Sequence, residues 1–291
     1  MKEPQLVLDA NATLGEGPSW DQTNQVLYWV DVQEKRVHVY DPYKHENRSI
    51  QLNQFVGAVV PREAGGVALA LASGFYTLDL RTEALCFIGD PERHLTNNRF
   101  NDGKCDPKGR FWAGTMSLMG EAEQGTLYRL NTNESIQPVL TNVSVSNGIC
   151  WSPDHQTMYY IDTPTQSVTA FDYELETGNI SKSRVVIKVP DREGKPDGMT
   201  IDEEGMLWIA HWGGYQVARW NPYTGKKLDR ILLPASLCTS CVFGGKNLDE
   251  LFITTARFGI SEDELSKQPH AGGLFRVKTN VKGAPTYAFK G

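Results

Sequence analysis

Residues 101–115 read NDGKCDPKGRFWAGT. An Asp-Gly pair opens the stretch, a Pro-Lys-Gly turn divides it, and a short aromatic run closes it. The same plan recurs as GEGPSWDQTNQVLYWVD from Gly15, SNGICWSPDHQTMYYID from Ser146 and PDGMTIDEEGMLWIA from Pro196. Two weaker copies, VGAVVPREAGGVALAL from Val56 and SCVFGGKNLDELFIT from Ser240, fill the gaps. Aligned on Gly17, Ala58, Gly103, Gly148, Gly198 and Cys241, the copies are spaced by 41, 45, 45, 50 and 43 residues. Short strands recurring every ~40–50 residues are the pattern of a β-propeller.

The runs within each copy agree. LYWVD, FWAGT, MYYID, LWIAH and LFITT are rich in β-branched and aromatic residues, and each follows a polar turn. A third run comes next: VHVYD, FYTLDL, TLYRLN, VTAFDY, VARWN and LFRVK. A fourth follows it: RSIQL, LCFIG, IQPVL, RVVIKV, RILLP and PTYAF. Six repeats of four strands predict an all-β, six-bladed propeller of four antiparallel strands per blade, with a central channel. The leading QLVLDA is expected to complete the last blade and close the ring. Only Ser261–Gln268 reads as helix, with Ser261 as N-cap and Glu264 three residues on. No Pro/Gly/Ser-rich linker interrupts residues 1–291, so one domain is expected. Two β-sandwiches would need a break in composition near the middle, and there is none.

Composition narrows the function. The 291 residues are 40% hydrophobic and 22% charged, which fits a globular chain rather than a disordered one. The net charge of −6 leaves no basic surplus for a phosphate backbone, so no nucleic-acid partner is expected. No apolar run approaches the ~18 residues of a membrane helix, so no membrane partner is expected either. The first residues, MKEPQLVLDA, lack the charged-then-apolar order of a signal peptide, and the cytoplasm is the expected location. Five cysteines without an export signal argue against a disulfide framework. Cys238 and Cys241 form a lone CxxC with no second pair for zinc, so all five are expected as buried or half-buried free thiols.

The register also places charge. In a propeller the innermost strands line the channel, and the residue before the leading Gly of each copy lies at one mouth. That position holds Glu16, Gly57, Asp102, Asn147, Asp197 and Ser240. Each Asp-Gly or Asn-Gly is by itself an ordinary turn signal. Unrelated turns, however, have no reason to bring acids to the same point of separate repeats. Like charges converging on one axis are costly unless a cation neutralises them or some are protonated. Oxygen ligands suit one hard or borderline divalent cation such as Ca2+, Mg2+, Mn2+ or Zn2+. Other motifs are missing: the histidines form no HxH or HExxH pair, and there is no GxSxG elbow. His211 reads as a hydrogen-bonded strand-end residue, and the seven tryptophans as packing between blades.

The stretches LGEGPSWD, NNRFNDGKCDPKGRFWAGTM, SNGICWSPDHQTMYYIDT, FDYELETGNIS, PDGMTIDEEGMLWIA and TSCVFGGKNLDELFITTAR resemble the regucalcin / gluconolactonase / luciferin-regenerating-enzyme family from end to end. The resemblance implies a divalent-metal-dependent lactonase, with a small sugar lactone such as gluconolactone as its partner. It places the metal ligands on Glu16, Asn147 and Asp197, with Asp197 also the catalytic acid/base. It places substrate binding on Arg99 and Asn101. A further family carboxylate, after the AGTM segment, matches Met119 without gaps, and Glu121 would replace it through a loop shift. Two other readings remain open on the same scaffold: an aryl esterase or organophosphate hydrolase, and a non-enzymatic calcium-binding regulator. A pure interaction platform would leave the axial acids without a purpose.

Overall fold

The computed structural model describes residues 3–291. Its strands form six four-stranded antiparallel sheets. Their innermost strands are Gly15–Asp21, Val56–Pro61, Asn98–Cys105, Ser146–Trp151, Lys195–Ile201 and Cys238–Gly244, which define blades one to six. Each of these strands packs beside the next, and the sixth packs beside the first, so the blades close a ring. The inner strands carry side chains that are buried on both faces, because each faces a neighbouring blade on either side. Outer strands such as Ile180–Lys188 and Lys226–Leu232 are largely exposed and polar.

Six apolar clusters hold the ring, one at each junction between successive blades. Aromatic rings cross several of these junctions, as expected of the tryptophans. Trp20 stacks on Phe252 between blades one and six at 5.7 Å and 10°. Trp112 meets Trp151 between blades three and four, and Trp208 meets Phe243 between blades five and six. Trp212 departs from the pattern and faces a cavity instead.

Blade six is completed by Gln5–Leu8, which pairs with Leu274–Lys278. The expectation that PTYAF, residues 285–289, forms an outer strand is corrected here. That segment crosses the far ends of the inner strands: Ala284 N donates to Ile201 O, Thr286 Oγ1 to Trp20 O, and Phe289 N to Pro61 O. Phe289 is fully buried between blades two and three, so its aromatic character serves packing rather than a ladder. The short helix is Glu262–Leu265, with Ser261 Oγ accepting from Glu264 N as expected. All five cysteines are free; four are buried, but Cys86 is exposed on the outer strand Leu85–Gly89, against expectation.

Candidate active site

Each inner strand carries a register shift beside the channel position. The shifts fall at Glu16/Ser19, Val56/Ala58, Phe100/Asp102, Ser146/Ile149, Pro196/Met199 and Cys238/Ser240. A bulge unpairs one residue and re-aims its side chain. Six bulges at equivalent points therefore interrupt the ladders where the axial residues stand. The inner strands also approach closely there. A Cβ on Gly57 would sit 2.4 Å from Phe100 O, which is why blade two contributes no side chain to the ring.

An open cavity of about 360 Å3 lies over these strands. Its lining includes Glu16, Arg99, Asn101, Asn147 and Asp197, five of the six residues singled out from the sequence. All five are buried. Glu121 is not brought to it: the side chain is exposed, with Oε2 3.4 Å from Ser117 Oγ. The loop that carries it still reaches the cavity through Leu118 and Gly120. His211 lies elsewhere, fully buried, with Nδ1 2.9 Å from Glu193 O and its ring stacked on Trp220.

A hydrogen-bond chain sets the orientation of the polar groups. Thr163 Oγ1 donates its only proton to Pro196 O at 2.8 Å, so it can only accept from Asn147 Nδ2, also at 2.8 Å. The Asn147 amide must therefore turn its oxygen the other way, where it accepts a long 3.3 Å bond from Asn101 Nδ2. Asn101 Nδ2 also donates to Ser146 O, and Asn101 Oδ1 accepts from Arg99 Nη1 at 2.8 Å. The chain runs from blade three through blade four to the residue next to Asp197. Thr163 carries no sequence signal for this role; only the fold brings it between Asn147 and Pro196.

Electrostatically the floor of the cavity is frustrated. Burial, and next the charge of Asp102, push the Glu16 carboxyl up to about 8, although Gly17 N donates to its Oε2 at 2.8 Å. Burial raises Asp197 well above the usual carboxylate range, with Glu16 and Asp102 adding to it. Asp102 is also raised by burial, while Lys104 and the Gly103 N–H oppose the rise. Asp197 Oδ1 is buried and has no hydrogen-bond partner among the described residues. Among the described residues, no three His, Cys, Asp or Glu side chains cluster at ligand spacing, so Asp102 stands beside the site rather than completing a three-carboxylate cage.

These features fit a divalent cation. Two carboxylates and an amide oxygen of fixed orientation, one carboxylate oxygen being orphaned, form an all-oxygen donor set. Such a cation would remove the repulsion and desolvation that now raise both carboxyls.

The fold and the cavity define a six-bladed β-propeller with an axial site: buried acids and amides at one end of a closed ring. The chain belongs to the family described as "SMP-30/Gluconolactonase/LRE-like region", which matches residues 14–257. It is 42% identical over 286 residues to YvrE of Bacillus subtilis (strain 168), a protein named as a candidate sugar lactone lactonase; the match covers 98% of each chain. It is 40% identical to regucalcin of Oryctolagus cuniculus, covering 99% of this chain and 98% of that one. A solved structure described as a calcium-binding protein, regucalcin from Agrobacterium tumefaciens, superposes with a TM-score of 0.95 at 27% identity, covering 99% of this chain and 97% of that one.

Proposed function

We propose that the protein is a divalent-metal-dependent lactonase that opens a gluconolactone-like sugar lactone to its hydroxy acid. The observation that carries this reading is the orphaned Oδ1 of Asp197, buried beside Glu16 and Asn147 at the floor of an open cavity. Glu16, Asn147 and Asp197 would hold the cation, with Ca2+ or Zn2+ the best matches to the donors. When bound, the cation supplies a Lewis acid for the lactone carbonyl and for a water.

The chain's own groups do the rest. Asp197 accepts the proton of the attacking water and returns one to the leaving ring oxygen, the work of a general base and then a general acid. Thr163 holds the Asn147 amide oxygen toward the cavity. Arg99 and Asn101 are fixed to each other, and the remaining donors of Arg99, with the spare lone pair of Asn101 Oδ1, suit the hydroxyls of a sugar ring. Trp212, Phe258 and Leu118 give the cavity apolar walls. Similarity to a candidate sugar lactone lactonase supports a lactone rather than a phosphoryl substrate.

The test is turnover of gluconolactone, followed by acid release, before and after chelation. Chelation should abolish activity and a divalent cation should restore it. Full activity in verified metal-free protein would overturn the reading. Cation binding without turnover of any lactone would favour the calcium-binding regulator instead.

A further inference from the structure

The floor of the cavity is acidic, but its walls are not. Among the residues lining it, the only charged ones besides Glu16 and Asp197 are Arg99 and Lys195. Both precede the axial acid of their own strand. Arg99 stands three residues before Asp102 in Asn98–Cys105, and Lys195 two residues before Asp197 in Lys195–Ile201. At ~3.3 Å per residue, each cation lies roughly one or two pleats nearer the mouth than the acids.

Neither cation is paired. Among the described residues Arg99 and Lys195 form no ion pair, whereas thirteen other pairs are present in the structure. Arg99 is the more telling. It is only 5% exposed, and burial pulls its guanidinium down to about 10, with the charge of Glu16 opposing the fall but making no ion pair with it. A buried guanidinium ordinarily meets a carboxylate or has all its donors satisfied. Here only Nη1 is engaged, by Phe100 O and Asn101 Oδ1, which leaves Nε and Nη2 without hydrogen-bond partners among the described residues. Lys195 belongs to blade five and Arg99 to blade three, so the two flank the Asn147 strand of blade four. Glu121, the one nearby carboxylate with a sequence claim on the site, bonds to Ser117 and stays outside the lining.

We infer that the lactone taken by this cavity carries an anionic substituent, a carboxylate or a phosphate ester, held between Arg99 and Lys195. The inference rests on the lactonase reading given above. The charges then balance by region. Glu16 and Asp197 are matched by one divalent cation, and Lys104 opposes Asp102 from below. Two positive charges remain on the walls, and an acid or phosphate group on the sugar is their complement. Arg99 offers two free N–H-bearing nitrogens in a planar fork, the arrangement that grips carboxylate or phosphate oxygens in pairs. Lys195, at the open side, adds an attraction that reaches solvent and draws an anion in.

The test compares three lactones on one preparation of the intact, metal-loaded protein. They are gluconolactone, which is neutral, its 6-phosphate ester, and the monolactone of glucaric acid, which bears a carboxylate. At low salt, kcat/KM for at least one anionic lactone should exceed that for gluconolactone by about tenfold or more, the worth of one charged hydrogen bond. The arm that gains identifies which anion the pair serves. Raising the salt should shrink the preference. Lys195→Glu should lower the anionic-to-neutral ratio by about 100-fold, since it replaces an attraction with a repulsion. Lys195 is exposed, and an unchanged melting temperature would show that the variant is folded. Turnover of gluconolactone equal to or better than both anionic lactones would overturn the inference and leave the lactonase reading standing. So would a ratio that ignores Lys195→Glu. Failure to open any of the three lactones would overturn the lactonase reading itself, and the anionic substrate with it.

Discussion

Lys104 Nζ lies 2.6 Å from the carbonyl oxygen of Met199, joining inner strands of blades three and five that are not neighbours in the ring. The lysine therefore spans the channel, and it does so two residues beyond Asp102 and Asp197 on their strands. Its other surroundings are a small cavity with Cys105, Cys150 and the segment Ala284–Tyr287. It works as a floor with a positive charge.

Lys104→Met should tighten binding of a divalent cation at the axial site by about tenfold or more, because a like charge has been taken away from beneath it. Calorimetric titration with Ca2+ would measure it. Unchanged affinity would mean the ammonium is too well screened to be felt by the acids.

Thr163→Val keeps the shape and deletes the hydroxyl that fixes Asn147. It leaves Asn147 Nδ2 and Pro196 O without their 2.8 Å partners, a loss of about 1–3 kcal/mol in stability for buried polar groups. Cation affinity should fall as well, since the amide is then free to turn. Thr163→Ser should restore both. A Val variant that melts and binds like the parent would remove Thr163 from the positioning chain.

Arg99→Ala should cut kcat/KM for gluconolactone by about 10–150-fold, from the loss of ~1.5–3 kcal/mol of charge-assisted hydrogen bonding. Valerolactone, which has no hydroxyls, should lose far less. Equal losses on both would show that Arg99 acts on the reacting centre or on folding.

His38 predicts a pH dependence far from the site. It stacks on Trp29 at 3.9 Å, and its Nδ1 accepts from Asn47 Nδ2 at 3.0 Å and sits 2.9 Å from Ser49 Oγ. Burial, with the charge of Arg36 behind it, lowers its pKa from 6.5 to about 4. Between those values the unfolded chain holds a proton there that the folded chain does not, so stability falls as pH drops from about 6.5 towards 4. The loss reaches about 3 kcal/mol at ~1.4 kcal/mol per pH unit. Denaturant titrations at pH 7 and pH 4.5 would give it, as the difference between the parent and His38→Gln. An identical acid slope in the two would assign the loss to other groups.

The blade count and three of the lining residues, Glu16, Asn147 and Asp197, were legible in the sequence because both follow from a local repeat, whereas Arg99 and Asn101 were reached through the family resemblance. Gly17, Gly103, Gly148 and Gly198 sit at the same step of their copies, and the axial acids come just before them. What was not legible depends on contacts between distant blades. PTYAF has a strand's composition, but its residues are spent on closing the channel end and filling a gap with Phe289. Lys195 and Thr163 are common residues with no spacing to mark them, and only the ring places them over Asp197 and against Asn147. The six bulges are equally silent, since no residue type is reserved for them. Glu121 shows the limit of matching by position: a loop that reaches the cavity need not bring its acid along.

Blade six takes its outer strand from Gln5–Leu8, and that pairing has a consequence for how the molecule comes into being. Blades one to five are each drawn from a continuous stretch and can assemble as the chain leaves the ribosome. Gln5–Leu8 must wait, unpaired, until Leu274–Lys278 has been synthesised. Closing so long a loop adds only slowly to the entropic cost, but it delays the event. During that interval two blade faces lie open, those of blades one and six. A growing chain stalled or truncated before Cys238–Gly244 would expose the stretch around Trp20 and Trp29 to self-association. Ring closure thus joins segments far apart in the order of synthesis and forms the seam of the finished propeller.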